Sequence, residues 1–161
     1  MKGTKMANSY RTHTCGELTK DNLGATVSVS GWIHNKRDHG GVLFIDLRDH
    51  YGLTQVVISP ENKDQYAIGH LPKETVVKFT GEVIARTDEN VNPNMATGTI
   101  EVVVESYEVL GTCESLPFPV FPETEVPEEQ RLTYRFIDLR KEKMHNNIVL
   151  RSKVISHLRQ K

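Results

Sequence analysis

The segment from Thr26 to Ile58, TVSVSGWIHNKRDHGGVLFIDLRDHYGLTQVVI, decides the fold. In TVSVSGWI apolar and polar residues alternate, the period-two pattern of a strand with one buried face. Gly40 and Gly41 separate this run from VLFIDLR, and Asp49 to Gly52 separate VLFIDLR from LTQVVI. Glycine supplies the positive φ that a two-residue hairpin turn needs, so three consecutive antiparallel strands are predicted. Downstream, DQYAIGHL (64–71) is short and weakly helical. TVVKFTGEVIAR (75–86) and TIEVVVESYEVL (99–110) read as two long strands around the polar loop TDENVNPNMATG. The expected class is therefore all-β: a five-stranded OB-fold barrel with a helix between strands 3 and 4. An SH3-like barrel or a small open sandwich would fit the same element order.

The remaining residues bound the architecture. The chain has 161 residues, 25% of them charged and 37% hydrophobic, a globular composition that excludes collagen, coiled coil and wholesale disorder. No apolar run approaches the length of a membrane helix and the N-terminus has no secretory pattern, so a cytoplasmic location is expected. Net charge is −1, which argues against binding nucleic acid by bulk electrostatics alone. The charge is nevertheless segregated. Residues 1–111 carry 11 Lys/Arg against 14 Asp/Glu, residues 112–130 none against 5, and residues 131–161 carry 9 against 2. The middle block, TCESLPFPVFPETEVPEEQ, holds four of the seven prolines and reads as an extended linker. The expected organisation is a flexible extension (1–10), the barrel (11–111), a linker or hinge (112–140), and a helix beginning a further domain (141–161). Ile148, Val149, Ser152, Ile155 and Leu158 fall on one face of that helix. With nothing after it to cover this stripe, the chain is expected to be a truncated one.

An OB barrel commonly binds single strands across its second and third strands, stacking bases on aromatics and reading their edges with polar groups. Lys36 and Arg37 end the first strand, where they can meet phosphate, and Phe44 and Gln55 lie on the next two. On pattern alone Phe44 reads first as core, since VLFIDL offers alternating faces. Trp32 reads as core, and Arg48 with Asp46 or Asp49 as a surface ion pair of little weight. His34 and His39 have no third ligand nearby, so no metal site is expected. Cys15 and Cys113 are too far apart in sequence to suggest a zinc motif. Without a nucleophile in a recognisable turn or a phosphate loop, the chain is expected to bind and not to catalyse.

CGEL (15–18), GWIHNKRDHGGVLFIDLRD (31–49), LTQVV (53–57), NMATGTIEV (94–102) and RLTYRFIDLRK (131–141) resemble the anticodon-binding domain and hinge of bacterial-type aspartyl-tRNA synthetases. The resemblance implies an OB barrel that reads an anticodon. In the parent enzyme it implies ligation of aspartate to tRNA(Asp) through an aspartyl-adenylate, with ATP and Mg²⁺ acting outside these residues. It also implies a homodimer. Carried over by position, Phe44 stacks on the central uracil, Gln55 hydrogen-bonds a base edge, and Arg37 and Arg86 lie near the anticodon. Asn35, Lys36 and Asp38 are further contacts. His39 followed by Gly-Gly looks like the non-discriminating type, which also charges tRNA(Asn) and then needs an amidotransferase. The two anticodons differ at the third base, cytosine against uracil, and an imidazole can offer either a donor or an acceptor to that edge. The rival readings are a free-standing OB module for single-stranded nucleic acid and a dimerisation fragment built on Val149, Ile155 and Leu158.

Overall fold

The computed structural model describes residues 9–61, 66–121 and 124–160, so most of the expected N-terminal extension lies outside the described residues. The chain divides into two compact units, 1–114 and 115–161. The first contains five strands: β1 (Thr26–His39), β2 (Val42–Arg48), β3 (Leu53–Ile58), β4 (Val76–Ala85) and β5 (Ile100–Gly111). They close into a barrel in the order β1-β2-β3-β5-β4, with every pairing antiparallel except β3 with β5. This is the OB topology expected from the element order.

Alternation builds the interior. Val27, Val29 and Ile33 of β1, Leu43, Ile45 and Leu47 of β2, and Val56 and Ile58 of β3 are all buried. Val77, Phe79, Val83, Ile100, Val102 and Val104 complete the barrel core from β4 and β5. Burying each such side chain contributes about 1.5–3 kcal/mol. The segment between β3 and β4 is a 3-10 turn, Tyr66–His70, tighter than the helix expected there, and its Ile68 enters the core. Gly40 and Gly41 have φ of 61° and 89°, as the two-residue β1–β2 hairpin requires. Gly31 lets two backbones meet, because a Cβ there would stand 2.2 Å from the Arg48 carbonyl oxygen.

One irregularity in β1 positions the site. The ladder pairs Ile33 with Leu47 and then Asn35 with Asp46, leaving His34 as the extra residue of a bulge. Before the bulge the even-numbered residue Trp32 shares a face with Arg48. After it, the odd-numbered Asn35 and Arg37 lie beside Asp46 and Phe44 on the outer face. Lys36 therefore turns the other way, and its Nζ donates to the carbonyl oxygens of Gly69 (2.6 Å) and Leu71.

Two expectations for the outer surface need correction. Trp32 is half-buried rather than core, with the Arg48 guanidinium 5.5 Å from its ring centroid. Arg48 does not lie on the surface, its side chain being 9% exposed. It is buried against Glu74 through bonds of 2.8 and 2.9 Å, its Nη1 lying 3.2 Å from His34 Nδ1. Asp49 instead accepts from Arg11, from the Cys15 N–H and from the N–H groups of Tyr51 and Gly52, tying the CGEL segment to the β2–β3 turn.

In the second unit, α1 (Glu128–Thr133), α2 (Arg135–Asp138) and α3 (Glu142–Arg159) follow an irregular stretch. The supposed linker thus contains two short helices and a small core of Phe118, Val120 and Ile137, bordered by Leu116, Phe121 and Val126. Proline excludes helix upstream but is compatible with a helix start, and Pro127 stands at the N-cap of α1. Lys141 is held over the Phe118 ring and donates to the Thr124 carbonyl. On α3, Ile148, Leu150, Val154, Ile155 and Leu158 are exposed, whereas Val149 is half-buried.

Candidate nucleic-acid interface

A groove of about 320 Å³ lies on the outer face of the barrel, lined by Arg37, His39, Phe44, Gln55, Arg86, Asn90, Asn92 and Glu101. The ladder explains its composition. Arg37 pairs with Phe44 across β1 and β2, and Asp46 with Gln55 across β2 and β3. Their side chains alternate with the core residues Leu43, Ile45 and Val56. Phe44 is half-buried, with the His39 ring in edge contact at a centroid distance of 6.2 Å and 70° between planes. One face of an aromatic ring beside an open groove is a stacking platform for a planar base.

Behind that platform runs a continuous polar chain. Asp46 accepts from Arg37 Nη2 at 3.1 Å, and the same Nη2 donates to Gln55 Oε1 at 3.1 Å. Gln55 Nε2 donates to Glu101 Oε2 at 2.9 Å, and Arg86 Nε stands 3.8 Å from that same oxygen. Arg86 also donates to the Ile100 carbonyl at 2.9 Å. Burial pulls its guanidinium below the ordinary arginine value, the Glu101 and Asp46 carboxylates opposing the shift. Two cations and two carboxylates balance here, so the groove is equipped to read bases more than to gather phosphate.

The groove brings together five of the eight residues selected from the sequence. Lys36 is committed to the 3-10 turn, where burial lowers its ammonium below the ordinary value with Lys73 adding to the effect. Asp38 is exposed and accepts from the Gly41 N–H at 3.1 Å, bracing the hairpin. Asn35 is half-buried opposite Asp46. Sequence reading missed Asp46, Asn90, Asn92 and Glu101 as parts of the site. Outward phase in IEVVV and FIDL could have flagged Glu101 and Asp46. The asparagines sit in a polar loop whose path no periodicity encodes. Among the described residues, no group of three or more His, Cys, Asp or Glu is placed to hold a metal ion. No helix among them is long and apolar enough to cross a membrane.

A closed OB barrel with an aromatic and polar groove across its second and third strands defines a nucleic-acid-binding domain. Residues 27–110 match the tRNA anti-codon family, described as an OB-fold nucleic acid binding domain, and the chain belongs to that family. Aspartate--tRNA(Asp/Asn) ligase of Phenylobacterium zucineum (strain HLK1) is 56% identical over 152 residues, 94% of this chain and 26% of that protein. Aspartate--tRNA ligase of Streptomyces griseus is 55% identical over 152 residues, 94% of this chain and 25% of that protein. The chain thus spans about a quarter of the length of the curated relatives it matches. The aspartyl tRNA synthetase of Entamoeba histolytica shares the fold with a TM-score of 0.79 at 20% identity, over 99% of this chain and 39% of that one.

Proposed function

We propose that this chain is the anticodon-reading part of an aspartate-tRNA ligase. The observation that carries the reading is the convergence of Arg37, His39, Phe44, Gln55 and Arg86 on one groove, in a chain whose relatives bear that activity in their names. Single-stranded loop bases can be splayed out, stacked on an aromatic and hydrogen-bonded on their Watson–Crick edges. Phe44 supplies the stack for the central uracil and Gln55 an adjacent donor and acceptor. Arg37 and Arg86 flank them, and Asn35 and Asp38 border the same region. Aspartyl transfer, ATP and Mg²⁺ belong in this reading to the remainder of the enzyme, which acts in the cytoplasm as a homodimer.

Both tRNA(Asp) and tRNA(Asn) are the proposed substrates. The third anticodon base, cytosine or uracil, would meet His39, whose imidazole lies against Phe44 and can donate or accept. Relatives named for both tRNAs and for one are 56% and 55% identical, so likeness does not decide this point. Charging tRNA(Asn) with aspartate would require an amidotransferase partner to produce the asparaginyl form.

The test is binding of the chain to RNA hairpins carrying the Asp anticodon, the Asn anticodon, and the Asp anticodon with its central uracil replaced. Comparable binding to the first two and weaker binding to the third are expected. Phe44→Ala should weaken the first two by about 1–3 kcal/mol, the worth of one stacked base. Binding that ignores both the central base and Phe44 would return the chain to a general single-strand-binding module.

A further inference from the structure

A glutamine amide has two flip states of nearly the same shape, and its readout depends on which one it holds. Uracil presents an N3–H donor between two carbonyl acceptors, whereas cytosine presents an amino donor beside an N3 acceptor. A base fixed in plane by a stacked aromatic brings one edge to the amide in one pose. Uracil and cytosine then demand opposite flip states, and a glutamine free to turn would serve both.

Gln55 is held in one state from both ends. Its Oε1 accepts from Arg37 Nη2 at 3.1 Å and its Nε2 donates to Glu101 Oε2 at 2.9 Å. Turning the amide over would set N–H against guanidinium N–H and carbonyl oxygen against carboxylate. Each end keeps unused capacity, one N–H on Nε2 and one lone pair on Oε1, for a base edge. The Arg37 end would be loose by itself, since that side chain is 45% exposed. It is anchored by Asp46, whose carboxylate contacts Nη2 at 3.1 and 3.4 Å while its side chain is 11% exposed. Asp46 is not among the groove's lining residues, and its carboxylate meets the groove through Arg37.

We propose that Asp46 is a specificity-determining positioning residue: through Arg37, and against Glu101 at the other end, it locks the Gln55 amide so that the groove selects uracil over cytosine at the stacked central base. This rests on the anticodon-reading function proposed above.

The experiment measures binding of the full chain and its variants to two hairpins that differ only in uracil or cytosine at the central position. Wild type should prefer uracil by about 10- to 100-fold, the discrimination of a good bidentate base contact. Asp46→Asn and Glu101→Gln each weaken one end of the lock and should narrow the uracil preference several-fold, and the two together should bring the affinities within about threefold, mainly by improving cytosine binding. Asp46→Glu should restore part of the preference. The Gln55 side-chain amide protons, seen by nitrogen-edited NMR in the free protein, should be two resolved and protected signals in wild type and lose protection in Asp46→Asn. The two loosening variants act at opposite ends, so misfolding of one leaves the other as the test. Undiminished uracil preference in a folded Asp46→Asn or Glu101→Gln protein overturns the proposal and leaves anticodon reading intact. Wild-type binding indifferent to the central base and to Phe44→Ala overturns the anticodon reading itself.

Discussion

At the scale of single residues, neighbours in sequence have opposite fates. Lys36 and Arg37 are adjacent cations, but strand geometry sends Lys36 to backbone carbonyls and Arg37 to the groove. Lys36→Met is therefore expected to lower stability without altering the salt dependence of RNA binding. Loss of a phosphate contact would instead shallow the log–log salt slope by about 0.7. Arg48 and Glu74 show what a buried pair demands. Their side chains are 9% and 4% exposed, and Glu74 is held at φ 67° while its N–H donates to the Ile33 carbonyl at 2.8 Å. Glu74→Ala strands a buried guanidinium and should cost about 3–5 kcal/mol in denaturant unfolding. His34 beside this pair is shifted below its ordinary value of 6.5, by burial first and then by the Arg48 charge. The folded state binds that proton less tightly than the unfolded chain, so the contribution is complete above about pH 6.5 and is lost as pH falls. Melting temperature should decline below pH 6.5, and His34→Gln should flatten that part of the profile.

At the scale of elements, the β1–β2 hairpin and the bulge inside β1 do most to shape the site. The turn requires positive φ at both of its glycines, but a Cβ at Gly40 would meet nothing within 4 Å. Gly40→Ala should thus carry only the left-handed penalty of about 1–2 kcal/mol. Gly31→Ala, whose Cβ would be driven to 2.2 Å from the Arg48 oxygen, should be clearly more damaging. Thermal melts of the two variants distinguish conformational strain from steric exclusion. The bulge at His34 shifts the phase of everything after it, which is why Arg37 shares a face with Phe44.

At the scale of the whole molecule, the two cysteines report on folding. Cys15 is fully buried in the barrel core, where burial, reinforced by Asp49, raises its thiol well above the ordinary value. Cys113 is half-exposed. A thiol reagent at mildly alkaline pH should modify Cys113 in the native protein and reach Cys15 only when the barrel opens. Fast labelling of both would show a barrel that breathes locally around the CGEL segment. Each unit also has its own hydrophobic core, the barrel's large and the second unit's built on Phe118, Val120 and Ile137.

Period-two alternation, the Gly-Gly turn and the order of elements determined five strands and an all-β class from sequence alone, because a strand with one buried face writes its register into every second residue. Closure into a barrel was decided by the pairing of β3 with β5 and β4 with β1. The same phase pointed to Phe44 and Gln55 and the strand end to Arg37, and the family resemblance added His39 and Arg86. Tertiary structure decided the remainder. A one-residue bulge has no compositional mark, yet it alone sets whether Lys36 or Arg37 faces the groove. Arg48 and Glu74 are 26 residues apart, and only barrel closure brings them together. The Asp46–Arg37–Gln55–Glu101 chain crosses four strands, so it exists only once β1, β2, β3 and β5 are in register. The proline-rich stretch reads as a spacer because proline cannot continue a helix or a central strand and says nothing of burial. Whether Phe118 and Val120 are core depended on Ile137 arriving from a helix farther along the chain.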